Sequence, residues 1–359
     1  MTDSVTGLTV SDYLDDERFH RKFTLPVSAS RSEEIKVTYA DFGDCNNERV
    51  LLVCPPLLGS RYLLVTKDKL ARQHGVRIIS PDRPGFGGTT DVPPHDRVRT
   101  WLEIVEALLA HLDIKRVSIL GYSGGAIYSM NVLLHLRHLL HPDRPFIALC
   151  APWVHTTHSG VSTLKILGLM PNGVLGSYDR VLQIFGNVSP ALKFSTDLAG
   201  LIPSLSRGYS SSTSNSDPDT AIILEQKMFP ELLRRITTES VKGISQDALM
   251  LLKREQFPGC WGIWTDYDTL LPLLAEKERQ RCSTCSGDAP KLKVRVFFAE
   301  SDHMIGTSSA PEWLDNCWRP ERCGDGIDYT STFVPRTTHD SILDLRFGVI
   351  ERILREMAL

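Results

Sequence analysis

The sequence lacks three features that would indicate particular classes of partner. Its 40 Lys and Arg residues against 43 Asp and Glu give a formal net charge of −3, so there is no cationic excess for nucleic acid or an anionic membrane surface. No apolar run approaches the roughly 20 residues of a transmembrane helix. The start, residues 1–5, shows neither the basic residues nor the apolar segment of a secretory signal. We therefore expect no nucleic-acid partner, no membrane span and no secretion.

Cysteine pairs at metal-ligand spacing are scarce as well. The eight cysteines are scattered, and Cys54 and Cys150 lie in apolar runs typical of buried strands. This distribution indicates reduced thiols and predicts a cytoplasmic protein. Cys282 and Cys285 form a single C-x-x-C in the charged segment 276–288, which we interpret as a solvated loop, with zinc or redox use as the alternative. No metal or organic cofactor is predicted.

The most informative stretch that is present spans residues 117–134. A short apolar, β-branched run ends at Gly121, Ser123 follows within a glycine-rich turn, and a helix-like apolar segment begins after Gly125. In this G-x-S-x-G pattern the glycines let strand and helix approach closely, and the serine hydroxyl is left exposed on a strained turn. The amide of Gly124 would face a developing oxyanion. The alternative is a glycine-rich turn of a nucleotide-binding fold.

Strand-like runs alternate with helical periods on both sides of this stretch. Strands are predicted over residues 22–27, 34–41, 50–54, 76–80, 117–120, 146–150, 292–298 and 327–334. Helices are predicted over residues 61–74, 98–112, 126–134 and 341–357. Strands that alternate with helices of this length form βαβ units. The sequence therefore predicts an α/β fold, with a mostly parallel sheet flanked by helices.

This alternation stops after Trp153. Residues 154–258 contain amphipathic helical patterns and no strand pattern, with helices predicted over 162–169, 176–185, 220–228, 231–236 and 245–254. We interpret this segment as a helical cap inserted into a core formed by residues 1–153 and 259–359. Ligand sites of open α/β sheets lie at the carboxyl ends of the strands. Because the insertion leaves the sheet at the same edge, the cap should cover the ligand site. The residues predicted to line an apolar pocket there are Tyr122, Trp153, Leu164, Leu167, Met170, Leu182 and Phe185.

Four motifs resemble those of the α/β-hydrolase fold family, in the subtype that carries a helical cap. Residues 121–125 resemble its nucleophile elbow, and residues 82–87, Asp-Arg-Pro-Gly-Phe-Gly, resemble the turn after its preceding strand. Asp302 follows the penultimate core strand, where the family places its acid, and His339 precedes the last helix, where the family places its histidine. The chain order Ser, Asp, His is the one these enzymes use.

The chemistry of the residues agrees with this resemblance. A serine hydroxyl needs a base to remove its proton, and the base needs a carboxylate to orient it. Among eleven histidines, only His339 lies between a terminal core strand and a terminal helix, while His155 and His158 near the cap could line the pocket instead. Glu300 shares a loop with Asp302 and is the alternative acid.

The oxyanion loop departs from the family pattern. Relatives often carry H-G-x-P-G-S, whereas residues 55–60 here read Pro-Pro-Leu-Leu-Gly-Ser. Proline has no N–H, so neither Pro55 nor Pro56 can donate to an oxyanion. Alignment with the family pattern assigns the donor to Leu57, which with Gly124 would supply the two amides that acyl transfer requires.

The resemblance implies a serine hydrolase that cleaves a carboxylic ester, lactone or thioester of a small, largely apolar molecule through an acyl-serine. An acyltransferase or cyclase with the same Ser123, His339 and Asp302 is one alternative, in which a substrate nucleophile replaces water. A non-catalytic small-ligand receptor on the hydrolase scaffold is the other. Residues 261–264, Trp-Gly-Ile-Trp, resemble the segment with which relatives leave the cap.

Overall fold

An eight-stranded sheet lies at the centre of the protein. The computed structural model describes residues 9–29, 31–161, 171–176, 217–254, 258–284 and 290–358. The strands are β1 (Arg21–Leu25), β2 (Ile35–Gly43), β3 (Val50–Cys54), β4 (Arg77–Pro81), β5 (Phe86–Gly87), β6 (Ser118–Tyr122), β7 (Phe146–Cys150), β8 (Ser240–Val241), β9 (Leu292–Ser301) and β10 (Ile327–Thr338). All except β5 and β8 belong to this sheet; those two pair with each other in antiparallel fashion.

The order of strands in the main sheet is β1-β2-β4-β3-β6-β7-β9-β10. The pairs β1–β2 and β2–β4 are antiparallel, and every pair from β4 to β10 is parallel. Strands β3, β6 and β7 are buried at every residue, as expected for parallel strands covered on both faces. The predicted α/β fold with a mostly parallel sheet is confirmed.

Helices cover both faces of this sheet. The helices of the described residues are α1 (Val10–Leu14), α2 (Asp68–Gln73), α3 (Arg97–His111), α4 (Gly125–His135), α5 (Thr156–Ser159), α6 (Asn172–Leu175), α7 (Asp217–Thr238), α8 (Gly243–Leu251), α9 (Tyr267–Thr284), α10 (Ser309–Cys317), α11 (Pro320–Cys323) and α12 (Val349–Glu356). The apolar faces of α3 and α4 belong to one hydrophobic cluster, and those of α2 and α12 belong to another. None of the helices within the described ranges combines the length and apolar character needed to cross a membrane.

Several predicted helix bounds are wrong. The helix predicted over 341–357 begins only at Val349, because Gly348 adopts a φ of +68° and separates α12 from the short 3-10 turn at Leu345–Phe347. The helices predicted over 220–228 and 231–236 are one helix, α7, which continues through Pro230. Buried Met228 and Leu232 anchor it to the core on either side of the proline. Of the residues in the helix predicted over 61–74, only those of a 3-10 turn and of α2 are helical.

The prediction of a solvated loop over residues 276–288 is wrong for most of its length, because α9 continues to Thr284. Its Glu278 is 1% exposed and forms ion pairs with Arg137 at 2.6 Å and Arg281 at 2.9 Å. Cys282 is half-buried, and Cys285 lies outside the described residues. The seven cysteines within the described part are free, and no group of three or more His, Cys, Asp or Glu side chains there could hold a metal ion. The cytoplasmic location stays a prediction.

The segment 154–258 contains a strand, contrary to prediction. Strand β8 pairs with β5, which lies inside the turn over residues 82–87. The part of the predicted cap segment that leads back to the core is therefore joined to that turn. The limits of the cap stay a prediction, since residues 162–170, 177–216 and 255–257 lie outside the described residues. Five predicted pocket residues fall among them: Leu164, Leu167, Met170, Leu182 and Phe185.

Candidate active site

Ser123 occupies the turn between β6 and α4 in a left-handed conformation. Its φ is +51°, which is uncommon for a residue with a Cβ and indicates local strain. The turn is held by the Ser123 amide, which donates to the Cys150 carbonyl at 3.0 Å, and by the Ala126 amide, which donates to the Ser123 carbonyl at 2.9 Å. A Cβ at Gly125 would lie 2.0 Å from the Cys54 carbonyl oxygen. Only glycine therefore permits the close approach of β3 and α4 that supports this turn.

The structure brings Ser123, His339 and Asp302 together in one chain of hydrogen bonds. His339 Nε2 lies 2.9 Å from Ser123 Oγ, and His339 Nδ1 lies 2.8 Å from Asp302 Oδ2. The three residues directly follow β6, β10 and β9, so they meet at the carboxyl edge of the parallel strands. All three are buried, at 4–5% exposure. With this geometry the imidazole can accept the serine proton while the carboxylate orients it.

The other contacts of the acid and the histidine fix their orientation. Asp302 Oδ1 accepts hydrogen bonds from the amides of Met304 and Ile305, both at 2.8 Å. The Tyr122 hydroxyl donates to the His339 carbonyl at 2.6 Å, and the two rings are stacked. Tyr122 therefore connects the strand before the serine to the loop of the histidine. Its predicted role in lining the pocket stays a prediction.

Glu300, the alternative acid, is used elsewhere. Its Oε2 accepts a hydrogen bond from the Arg336 amide at 2.7 Å, and the side chain is exposed. Arg336 has a φ of +61° and lies in the irregularity of β10 between Val334 and Thr338. Glu300 thus supports the bulge immediately before His339, whereas Asp302 contacts the imidazole itself.

The alternative histidines also have other partners. His155 Nδ1 lies 2.9 Å from Thr157 Oγ1. His158 is stacked on Trp313 and its Nε2 lies 3.3 Å from an Asp266 carboxylate oxygen. Within the described residues neither histidine contacts Ser123.

The buried environment of His339 has opposing effects on its pKa. Burial by itself lowers the pKa, because the imidazolium loses hydration. The charge and hydrogen bond of Asp302, with a further contribution from Asp340, outweigh burial and raise the pKa of His339 above its ordinary value. The Asp340 carboxylate is 47% exposed, so solvent screens its contribution.

Leu57 and Gly124, the predicted oxyanion donors, lie close to each other. A Cβ built on Gly124 would be 3.5 Å from the Leu57 amide nitrogen. Across the described part of the chain, neither of these two amides donates a hydrogen bond. Gly124 is the N-cap of α4, where the amides and the helix dipole favour negative charge.

Apolar groups border this position, and sequence analysis missed one of them. Leu251 Cδ1 lies 3.0 Å from the Cβ built on Gly124, and Leu251 is 2% exposed. Trp153, a predicted pocket residue, donates from Nε1 to the Leu251 carbonyl at 3.3 Å and from its amide to the Ser123 carbonyl at 3.0 Å. Leu251 is the last residue of α8, shortly before the 261–264 segment with which relatives leave the cap. This position in the chain is the sequence signal that could have indicated Leu251 as a pocket residue.

A mostly parallel sheet with linked serine, histidine and aspartate side chains at its carboxyl edge is the arrangement of an α/β hydrolase. The chain belongs to the Alpha/beta hydrolase family, whose model matches residues 57–343. The match includes Leu57, Ser123, Asp302 and His339. None of the curated proteins matches the sequence at a significant level.

Solved structures of the same fold share little sequence with this chain. A carboxylesterase from Nitrososphaera gargenis is 14% identical, with 93% of this chain and 100% of that chain covered and a TM-score of 0.55. An esterase from Thermogutta terrifontis is 17% identical, with 94% and 100% covered and a TM-score of 0.53. The enol-lactonase from Burkholderia xenovorans LB400 is 12% identical, with 90% and 97% covered and a TM-score of 0.52. At these identities the similarity concerns the fold.

Proposed function

We propose that this protein is a serine hydrolase that cleaves a carboxylic ester, lactone or thioester of a small, largely apolar molecule. The observation that carries the proposal is the hydrogen-bonded chain from Ser123 Oγ through His339 to Asp302. The solved structures of similar fold, which include a carboxylesterase and an enol-lactonase, support the same class of reaction.

In the first half-reaction Ser123 Oγ attacks the substrate carbonyl carbon while its proton passes to His339 Nε2. Asp302 stabilises the imidazolium, and the Leu57 and Gly124 amides hold the negative oxygen of the tetrahedral intermediate. The intermediate then expels the alcohol or thiol, which takes the proton from Nε2 and leaves an acyl-serine. In the second half-reaction water gives a proton to His339 Nε2 and attacks the acyl carbon. The bond from that carbon to Ser123 Oγ then breaks, Oγ takes the proton back from Nε2, and the acid is released.

The proposal is tested by the time course of p-nitrophenyl acetate cleavage and by covalent labelling. We expect Ser123 to react with a fluorophosphonate probe, located by mass spectrometry, and p-nitrophenol to be released in a burst stoichiometric with enzyme if deacylation is slower. An acyltransferase would instead give an acylated product when an alcohol or amine acceptor is added. Absence of both labelling and release would favour the receptor alternative and contradict the proposal.

The Leu57 amide can be removed while the fold is monitored. Leu57→Pro deletes the N–H and should lower kcat by about a hundredfold, because the oxyanion then has one donor fewer. Leu57→Ala retains the amide and is the matched control, expected within a few-fold of the unmodified protein. Steady-state kinetics on folded protein, verified by circular dichroism, provides the measurement. Equal rates for the two variants would assign the donor to another residue.

The pH profile should report the electrostatic environment of His339. Only the neutral imidazole accepts the serine proton, so kcat/KM rises with pH through the pKa of His339, and the raised pKa puts this limb above the ordinary histidine value of about 6.5. Asp340→Asn removes a carboxylate that raises this pKa and should move the limb to lower pH at low salt. The shift should shrink at about 1 M NaCl. A shift to higher pH would contradict this account.

Leu251 is expected to influence acyl-chain preference. Leu251→Ala opens space beside Gly124 and should increase kcat/KM for butyrate or hexanoate relative to acetate by about tenfold, measured with p-nitrophenyl esters. Leu252→Ala, the same change at the next buried position, controls for the weakened core packing. Identical chain-length profiles in both variants would remove Leu251 from the substrate pocket.

A further inference from the structure

Arg83, from the turn over residues 82–87, is the first part of a buried network beside the oxyanion loop. It is 1% exposed, and its guanidinium donates to the carbonyls of Pro55 and Leu57, the latter at 3.2 Å from Nη2. These two carbonyls belong to the peptide units on either side of the Pro56–Leu57 peptide, which carries the Leu57 N–H. One rigid group therefore holds both neighbours of the proposed oxyanion donor.

Asp247 fixes the orientation of that guanidinium. Its Oδ2 accepts from Arg83 Nε at 2.9 Å, so all three nitrogens of Arg83 are engaged. Its Oδ1 accepts from Arg97 Nε and the Tyr128 hydroxyl. Arg97 in turn pairs with Asp91 at 2.9 Å. Asp247 is 1% exposed, and its carboxylate is the one that both arginines share.

The helix that carries Asp247 is itself attached to the same turn. Asp247 lies in α8, within the segment predicted as the cap, and the amide at the start of α8, from Gly243, donates to the Gly85 carbonyl at 3.0 Å. Strand β8, just before it, pairs with β5. The predicted cap segment and the oxyanion loop are thus joined through one carboxylate and one guanidinium.

We propose that Arg83 and Asp247 are positioning residues for the Leu57 amide, through which the returning cap segment sets the oxyanion donor. This proposal rests on the proposed function. Buried ion pairs contribute little net stability compared with apolar packing. The directed contacts of this pair, on two carbonyls that flank one amide, indicate a geometric role. If Asp247 no longer accepted the hydrogen bond from Arg83 Nε, the guanidinium could rotate. The Leu57 peptide, held by that guanidinium, would then lose its defined direction.

The test compares Asp247→Asn with Asp91→Asn. Both variants remove a carboxylate paired with Arg97, but only D247N affects Arg83. Its asparagine keeps one acceptor oxygen for the Nε atoms of Arg83 and Arg97, and its NH₂ group faces one of the two guanidinium groups. We expect D247N to lower kcat for p-nitrophenyl acetate by about 10–100-fold with KM within about twofold, because the Leu57 amide that it misplaces stabilises the transition state. D91N should stay within about threefold of the unmodified protein.

A second readout separates positioning from general damage to the core. Sulfur accepts hydrogen bonds more weakly than oxygen, so a thionoester gains less from the oxyanion amides than its ester. The ratio of ester to thionoester kcat/KM should therefore fall by about tenfold in D247N and stay unchanged in D91N, while the acid limb set by His339 stays in place. Arg83→Lys keeps the positive charge but lacks the planar, forked guanidinium, and it should show the same lowered ratio. This variant provides the test if D247N does not fold.

The outcomes are distinguishable. If the unmodified protein gives no Ser123-dependent turnover, the proposed function fails and this proposal fails with it. If turnover is normal but folded D247N and R83K keep the unmodified kcat and ester-to-thionoester ratio, only the positioning role is overturned. An equal fall in kcat for D247N and D91N, with both ratios unchanged, would also overturn it, because the network would then have only a structural role.

Discussion

Replacing Ser123 by alanine is expected to lower kcat for p-nitrophenyl acetate by roughly a million-fold, to the level left by binding and the oxyanion amides. The proposed covalent intermediate requires Ser123 Oγ, because this atom accepts the acyl group. A water molecule bound to His339 in place of Oγ would have to attack the substrate from a different position. Alanine keeps the Cβ, so the cost of the φ of +51° is the same in both proteins and the fold comparison is fair. The measurement is steady-state release of p-nitrophenol, with titration of active sites.

A matched control is available in α4, the helix that follows Ser123. Ser129 is fully buried, and its Oγ donates to the Ala126 carbonyl at 2.9 Å, away from the hydrogen-bonded chain of His339. Ser129→Ala should retain turnover within a few-fold. If S123A retained comparable turnover, the acyl-serine would be ruled out.

Asp302→Asn is expected to lower kcat by about 10³–10⁴-fold with little change in KM. Two backbone amides, from Met304 and Ile305, donate to Oδ1, so in the variant the amide oxygen must take that place. The side-chain NH₂ would then face His339 Nδ1 and donate to it. This favours the tautomer with the proton on Nε2, which cannot accept the proton of Ser123.

Glu300→Gln is the paired control for this prediction. The glutamine oxygen can still accept from the Arg336 amide, as Glu300 Oε2 does at 2.7 Å, so the bulge before His339 is preserved. We expect turnover within a few-fold of the unmodified protein, measured under the same conditions and over the same pH range. A larger loss in E300Q than in D302N would reverse the assignment of the acid.

Much of the fold follows from local patterns. Continuous apolar runs such as 50–54 and 146–150 coincide with β3 and β7, because strands buried on both faces need apolar side chains at every position. The helix of residues 98–112 is confirmed within one residue as α3, since its apolar period matches one buried face. Helix ends were less predictable. Pro230 interrupts the pattern of α7, but packing of Met228 and Leu232 outweighs the missing backbone hydrogen bond.

The sequence by itself determined the residue types and their order: a serine between glycines after a strand, a carboxylate after a later strand and a histidine before the last helix. These signals are local, because a tight turn needs glycine and a buried strand needs apolar residues. The tertiary structure alone decided that Asp302, and not Glu300, contacts His339, and that Leu251 borders Gly124. It also decided that Asp247 reaches Arg83 across 164 positions of the chain. Such contacts depend on how distant elements pack, and side chains that meet only after packing leave no periodic pattern in the sequence.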